Sequence, residues 1–477
     1  MNAPPSDLQV PLCVDLDGTL TATDTLFELL LVAIKTKPWI VFLLPVWLLG
    51  GRARFKQHLV DHVTLSPAAL PYRRDVLEHL TAERDRGRRI FLVTAANGRI
   101  AQNVADHLGI FERVLASTST GNLKGRAKAE ALVSEFGKAG FDYIGDARAD
   151  LTVWAAARRA LVVGPTSLAD KARMVATVER VFHTSVSSIR DWIKALRIYQ
   201  WVKNLLIFVP LLTAHKLGDL GLLGQAALAF IAFGLCASSV YIINDLFDLE
   251  SDRAHARKSS RPFAAGRIPI LAGLAAVPIL LLTAFALALA LPPLFVAVLA
   301  LYFVVTLLYS LRLKRTTVLD VLLLAGLYTI RIIAGAAAVA VDASFWLLAF
   351  SMFLFLSLAL VKRAAELRAM PEGVASRPAG RAYSREDLPV LMSLGTASAY
   401  TCVLVLALYI NSGQSMALYK RPEALWLLCP ILLFWLSRVW LVTHRGQMHD
   451  DPIVFAFRDS ISRWLVVPAA IVLWLAT

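Results

Sequence analysis

Residues 244–262 read NDLFDLESDRAHARKSSRP, and they follow directly on ALAFIAFGLCASSVYII at 227–243, a stretch without a charged residue. An apolar run of that length suits a bilayer, whereas the stretch after it carries Asp245, Asp248, Glu250 and Asp252 and then Arg253, Arg257, Lys258 and Arg261. If the helix of the apolar run continues, Asp245, Asp248 and Asp252 fall at i, i+3 and i+7 along one face, with Asn244 beside them. Three like charges that close repel one another unless a divalent cation sits among them, and an all-oxygen ligand set favours Mg²⁺. A solvated helix end is the plainer alternative, but it gives no reason for all three acids to share one stripe.

Working outward, the composition fixes the solvent. With 57% hydrophobic and 18% charged residues over 477 positions and a mean hydropathy of +0.61, the chain is too apolar for one soluble domain. Residues 1–190 mix charged and apolar stretches as α/β proteins do, whereas 191–477 is dominated by apolar runs of spanning length. The expected architecture is an N-terminal Rossmann-like α/β domain with a small cap, followed by an all-α membrane bundle of about nine spans. Those spans are expected near 197–213, 222–243, 270–290, 293–311, 318–340, 343–361, 392–411, 424–442 and 461–476. The first is interrupted by Trp201, Lys203 and Asn204.

The loops after the even spans carry nearly all the cations, from Arg253 to Arg267, Arg312 to Arg315, Lys362 to Arg385 (with Arg377 and Arg381) and Arg445 to Arg463. The alternate loops offer Lys216, Lys420 and Arg421. The positive-inside rule then places the N-terminal domain and the motif loops on the cytoplasmic side of the inner membrane. A pI near 9.8 reflects that bias together with phosphorylated substrates at that face, and no nucleic-acid partner is implied. Cys13, Cys236, Cys402 and Cys429 are scattered and suggest neither disulfides nor a zinc site. The first residues, MNAPPSDLQVPL, lack the pattern of a secretory signal. The sequence leaves the oligomeric state open, a homo-oligomer included.

In VPLCVDLDGTLT (10–21) an apolar strand runs into Asp15 and Asp17, followed by Gly18 and Thr19, the pattern that presents acids at the C-terminal edge of a parallel sheet. RRIFLVTAA delivers Thr94 from a second strand end, KAEALVSEF opens with Lys128, and FDYIGDARAD delivers Asp146 and Asp150. This set resembles the haloacid dehalogenase-like phosphatases over roughly residues 10–165, with the four family motifs in order. The resemblance implies that Asp15 is the nucleophile and Asp17 the general acid and base. It implies also that Thr94 and Lys128 hold the phosphate and that Asp15, Asp17, Asp146 and Asp150 form a Mg²⁺ site. The chemistry is consistent, because a carboxylate attacking a dianionic phosphate needs cations to offset repulsion. Lys124 competes with Lys128 for the same role, and a decayed domain kept as a scaffold is the bland alternative. Between these motifs lies TLFELLLVAIKTKPWIVFLLPVWLLGG, an apolar cap insertion within 26–60 broken by Lys35, Lys37, Pro38 and Pro45. It reads as an interfacial hairpin resting on the bilayer, ahead of a buried soluble cap and of a transmembrane hairpin.

The opening stretch resembles the first aspartate motif of the UbiA-type intramembrane prenyltransferases, in which Mg²⁺ on that motif holds the pyrophosphate of a substrate. The second acidic motif of that family is replaced here by LSLALVKRAAELRAM (356–370), which offers Lys362 and Arg363 with only Glu366. A cationic pocket is expected in its place. LRIYQWVKNLLIFVPLL, NDLFDLESDRAHARKSSRPFAAG, YSLRLKRTTVLDVLLLAGLYTIRIIAG and RGQMHDDPIVFAFRD are together similar to the decaprenyl-phosphate phosphoribosyltransferases. That resemblance implies phosphoribosyl pyrophosphate as donor and a polyprenyl phosphate as acceptor. Catalytic Asp245 and Asp248, with Asn244 and Asp252, would hold the metal, and the phosphates would need cations from among Lys203, Arg253, Lys258, Arg261, Lys314, Lys362 and Arg363. Asn204 is grouped with these by its place in the first of the four segments. Asp320 and Arg331, eleven residues apart, share a face of the fifth span, either lining the cavity or forming interhelical structural pairs, the latter more for Arg331 than for Asp320 near the cytoplasmic end. His449, Asp450 and Asp451 either touch substrate or cap the last helix.

The expected function is bifunctional: transfer of 5-phosphoribosyl to polyprenyl phosphate, then removal of the 5-phosphate by the N-terminal domain. An aromatic prenyltransferase is the nearest rival, and a monofunctional transferase with a non-catalytic, regulatory N-terminal domain is another.

Overall fold

The computed structural model describes residues 7–118, 121–184, 187–370, 383–448 and 451–477, so that Arg377, Arg381, His449 and Asp450 lie outside the described residues. The chain forms two compact units, one of Met1–Leu196 with Tyr241–Pro278 and one of Arg197–Val240 with Ile279–Thr477. The first unit therefore holds the α/β domain together with the aspartate stretch at 244–262.

The α/β domain is built on a six-stranded parallel sheet: β1 (Leu12–Val14), β2 (Ile90–Asn97), β3 (Arg113–Ser117), β4 (Asp142–Gly145), β5 (Arg159–Gly164) and β6 (Val178–His183), in spatial order β3-β2-β1-β4-β5-β6. β1, β4 and all but the first residue of β5 are buried, as expected of runs such as LCV, DYIG and RALVVG covered on both faces. Leu12, Leu92 and Val163 pack into one core and Cys13, Val93 and Val162 into another, the alternation that sends successive side chains to opposite faces. The order reverses at β1, between β2 and β4, and at such a switch point the strand ends open a crevice. Asp142 anchors this centre from below, with its carboxylate on Arg88 and on Arg158 (2.6 Å).

The cap insertion folds as short helices, Thr25–Thr36, Leu44–Leu49 and Arg52–His62, with a 3₁₀ turn at Pro38–Phe42. Pro38 and Pro45 sit at helix starts, where a proline costs nothing, and this divides the apolar run into pieces too short to cross a bilayer. No helix of this insertion has the length of a membrane span. Leu29, Ala33, Ile40, Trp47, Phe55 and Leu59 close a small core of their own, while Phe42 and Leu49 remain 82% and 90% exposed.

Among the described residues, seven helices are long and apolar enough to span a membrane: Leu220–Phe247, Ile270–Ala288, Pro293–Leu311, Leu319–Ala338, Phe345–Arg368, Arg385–Ile410 and Pro422–His444. Two bent pairs, Ile189–Ala195 with Ile198–Thr213 (50°) and Pro452–Arg458 with Ser460–Ala476 (79°), bring the number to nine if each counts as one. The bends fall where polar residues interrupt the apolar pattern. The first falls at Arg197, whose backbone is left-handed (φ +51°), and the second at Asp459, which ends one short helix and caps the next. All four cysteines are buried and free.

Candidate active sites

In the α/β domain the sheet delivers its acids where the sequence puts them. Asp15 is the first residue after β1 and Asp146 the first after β4, both at the C-terminal edge. Gly18 makes the turn after Asp15 and packs against Asp146: its φ is +76°, and a Cβ there would lie 2.1 Å from Asp146 Oδ2. Thr19 Oγ1 donates to Asp146 Oδ1 (2.9 Å). Carboxylate oxygens of Asp15, Asp146 and Asp150 come within 4.8 Å of one another, and no other group of three possible ligands does so among the described residues. Three carboxylates this close form the all-oxygen donor set that fits Mg²⁺.

Lys128 is buried at the start of the helix Arg126–Phe136, and its Nζ lies 2.8 Å from Asp15 Oδ2 and 2.8 Å from Tyr143 Oη. Tyr143 Oη in turn donates to Asp150 Oδ1 (3.2 Å). Lys124 is exposed on the loop before that helix, so Lys128 is the lysine brought to the nucleophile. Thr94 is fully buried in β2, just where the register with β3 shifts, and its Oγ1 accepts from Ala96 N–H (3.0 Å). Asp17 stands apart from the carboxylate trio and accepts from the Thr25 amide (2.8 Å), the first amide of the cap helix Thr25–Thr36. Tyr143 and Thr19 are additions that sequence reasoning missed. Thr19 was visible in the D-x-D-G-T pattern, while Tyr143 needed the fold, since nothing in FDYIGD marks it as a lysine partner.

Burial raises Asp17 to about 7, with Asp24 adding to the rise, so it can exchange a proton near neutrality. Burial likewise raises Asp146 to about 7, followed by repulsion from Asp15 and Asp150. The folded-state value of Asp146 exceeds the unfolded value of about 4, so its contribution to stability is complete at low pH and is lost as pH rises through about 7. A bound divalent cation removes that loss. Mg²⁺ is therefore expected to raise the thermal midpoint of the α/β domain more at about pH 8 than at about pH 6. Equal shifts at both values, by thermal scanning, would count against a metal on this trio.

The aspartate stretch departs from its expected shape. The helix Leu220–Phe247 ends before Asp248, whose backbone (φ −102°, ψ 13°) opens a second short helix, Leu249–Ala254. The single stripe is therefore broken. Asp245 and Asp252, both buried, are joined through Arg261, whose Nη1 lies 3.1 Å from Asp245 Oδ1 and 2.6 Å from Asp252 Oδ2. Burial raises the Asp252 carboxyl, with Arg261 opposing. The two carboxylates thus hold a cationic nitrogen between them, so the pair suits a cation, whereas Asp248 turns toward Lys35 Nζ (3.8 Å). Arg253 does not face open space: it donates to Ala264 O (3.0 Å), Ala69 O (3.0 Å) and both Glu28 oxygens (2.5 and 3.2 Å). Lys258 is exposed in a 3₁₀ turn and Asn244 is partly buried.

In the second unit, Lys203 and Lys362 converge on Asp451 Oδ2 (2.8 and 3.3 Å), which also receives Tyr328 Oη (3.2 Å). Asp451 caps the helix Pro452–Arg458 as well, so it serves both as a cap and as the shared counter-ion of two lysines. Asn204 Oδ1 accepts from Arg331 Nε (3.0 Å), and Arg331 also reaches Leu327 O and Tyr302 Oη (3.3 Å). These bonds tie Arg331 to the neighbouring segments that carry Asn204 and Tyr302.

Asp320 is fully buried and pairs with Arg363 (2.5 and 3.1 Å), which further contacts Tyr309 Oη (2.9 Å) and Glu366. The expected Lys362–Arg363 cationic pocket is therefore corrected. Arg363 has its charge matched, and the lysine that joins Lys362 is Lys203. Lys314 is half-buried in the short turn Leu313–Arg315. Removing Arg363 leaves Asp320 uncompensated, so Arg363→Ala is expected to cost about 3–5 kcal/mol. Thermal unfolding in detergent measures this, and a loss under about 1 kcal/mol would show the pair to be dispensable.

Two motif-bearing segments of unlike chemistry thus define a membrane transferase fused to a phosphohydrolase-type domain. The chain belongs to the UbiA prenyltransferase family, whose model matches residues 205–461, and residues 12–154 match the haloacid dehalogenase-like hydrolases. It is 39% identical to the uncharacterized protein y4nM of Sinorhizobium fredii over 96% of this chain and 89% of that one. It is 32% identical to the decaprenyl-phosphate phosphoribosyltransferase of Mycolicibacterium smegmatis over 56% of this chain and 86% of that one. Among solved structures, a UbiA homolog from Archaeoglobus fulgidus aligns with a TM-score of 0.46 at 17% identity, covering 59% of this chain and 98% of that chain. The protein is an integral membrane enzyme of this family with a hydrolase-type domain in the same chain.

Proposed function

We infer that the protein makes a polyprenyl-phosphoryl ribose in two steps, transferring 5-phosphoribosyl from phosphoribosyl pyrophosphate to a polyprenyl phosphate and then removing the 5-phosphate. The observation that carries this reading is the intact Asp15–Lys128–Asp146–Asp150 cluster, a phosphomonoester site retained beside a transferase domain related to phosphoribosyltransferases. The product of such a transfer is itself a phosphomonoester.

In the first step a phosphate oxygen of the lipid attacks ribose C1 as the bond from C1 to the pyrophosphate oxygen breaks, and no protein nucleophile is needed. Lys203 and Lys362 present two positive charges against the single charge of Asp451, a surplus suited to one of the phosphates. In the second step Asp15 attacks phosphorus, and Asp17 protonates the departing 5-oxygen. Asp17 then takes a proton from the water that releases the phosphate. Lys128 fixes Asp15 and balances charge as the phosphoryl group arrives. When bound, Mg²⁺ would supply charge neutralisation, to the monoester at Asp15, Asp146 and Asp150 and to the pyrophosphate at Asp245 and Asp252.

The positive-inside pattern supports a cytoplasmic face for both sites in the inner membrane, and the exposed apolar tip of the cap around Phe42 and Leu49 suits an interfacial position beside a lipid substrate. The test is direct: purified full-length protein with labelled phosphoribosyl pyrophosphate, polyprenyl phosphate and Mg²⁺ should yield a labelled lipid lacking the 5-phosphate. Labelling from an isoprenyl pyrophosphate onto an aromatic acceptor instead would replace this reading.

A further inference from the structure

The compact unit that contains the phosphatase domain also contains the aspartate stretch, and the two are joined by an ion pair between residues 225 apart in sequence. Glu28, on the cap helix Thr25–Thr36, is 4% exposed and receives both Nη atoms of Arg253 (2.5 and 3.2 Å). A buried, bidentate pair confers geometric specificity more than stability, because desolvation offsets much of its attraction. Arg253 is the residue after Asp252, on the short helix that Asp248 opens. Its remaining bonds, to Ala69 O and Ala264 O, tie the same helix to the cap side and to the loop that follows.

Two further contacts reinforce this line. Lys35, two turns further along the cap helix, donates to Phe247 O (2.6 Å) at the end of the span helix and approaches Asp248 (3.8 Å). Gly266, with φ +67°, lies so close to Ala22 that an added Cβ would sit 2.6 Å from the Ala22 Cβ. Between cap and motif a cavity of about 360 Å³ is lined by Glu28, Lys35, Ser66, Phe247, Glu250 and Arg253. At that cavity, where side-chain packing is interrupted, the Glu28–Arg253 pair and the Lys35 contacts connect cap and motif.

We propose that Glu28 is a positioning residue of the transferase, supplied by the phosphatase domain, which holds Arg253 and through it the short helix that carries Asp252. The inference rests on the transferase reading of the aspartate stretch. Its consequence is that the N-terminal domain contributes to transfer by geometry as well as to hydrolysis by chemistry.

The test is a double-mutant cycle of Glu28→Gln and Arg253→Gln in the full-length protein, with Glu28→Asp as the conservative variant. Each single variant should lower lipid labelling about 10- to 100-fold, as loss of a residue supporting a ligand does, and the double should be no worse than either single. Glu28→Asp should restore a large part of the rate. Amide hydrogen exchange across residues 246–262, measured without substrate, should rise in Glu28→Gln, and hydrolysis of a generic phosphomonoester serves as the folding control. Normal transfer in Glu28→Gln, additive losses in the double, unchanged exchange, or an equal loss of transfer and hydrolysis would each overturn the inference. A wild-type protein that labels no lipid counts instead against the transferase reading, and the exchange measurement then decides this proposal alone.

Discussion

Asp15→Asn is expected to abolish phosphomonoester hydrolysis, by roughly 10³-fold or more, while leaving lipid labelling intact, so that the labelled lipid accumulates as its 5-phosphate. The substitution keeps the size of the side chain and removes the nucleophilic oxygen's charge. Lys128 loses its 2.8 Å ion-pair partner but keeps its contact to Tyr143 Oη, which limits the structural damage. The carboxylate trio becomes a pair, and the repulsion that Asp15 contributes to the raised values of Asp146 and Asp150 disappears. The domain should therefore remain folded and be no less stable at neutral pH without metal. The measurement is the ratio of phosphorylated to dephosphorylated labelled lipid in variant and wild type. If wild type also yields only the phosphorylated lipid, the domain acts on another substrate and the two-step reading fails, while the transferase survives.

What the sequence made legible, and what it did not, divides along a physical line. The carboxylates and the lysine of the α/β site were readable because they sit just after a strand or at a helix start, and strand ends are marked by a change from apolar to polar within two or three positions. VDLDGT and YIGD carry that change, and the parallel order then brings them together, whereas Thr94 proves to lie inside β2 and not at its end. Tyr143, which lies inside a strand, has no such marker.

The membrane domain was readable in its spans, since apolar length is a local property, but not in its polar pairing. Asp320 pairs with Arg363 rather than Arg331, and Lys203 with Asp451, across 43 and 248 residues. Long-range partners of buried charges depend on helix rotation and depth, which no short window records. The break at Asp248 was hidden for another reason. A stripe at i, i+3 and i+7 presumes an unbroken helix, and NDLFDLESD contains no glycine or proline to warn of an end. The same limit hid Glu28, which reads as one acid in an apolar cap run until Arg253 is brought beside it.

Asp245→Asn is expected to lower lipid labelling by two to three orders of magnitude, with hydrolysis of a generic phosphomonoester within about twofold of wild type. Asp245 is buried on the last turn of the span helix, where its charge is opposed by Arg261 at 3.1 Å. Asparagine preserves the volume and one acceptor oxygen, so the helix end should persist, while Arg261 retains Asp252 at 2.6 Å. What is lost is the second negative charge that makes this place favourable for a cation facing a pyrophosphate. Because the aspartate stretch and the phosphatase domain belong to one compact unit, retained hydrolysis is an informative control. The Asp15 cluster is paired through Lys128 and Asp245 through Arg261, and independent sites lose function independently. Asp248→Asn tests the broken stripe in the same assay. If Asp248 acts only through Lys35, its loss should be mild beside that of Asp245; if the three carboxylates close around a cation during turnover, the two losses should match. Near-normal labelling in Asp245→Asn would remove the aspartate stretch from the transfer chemistry altogether.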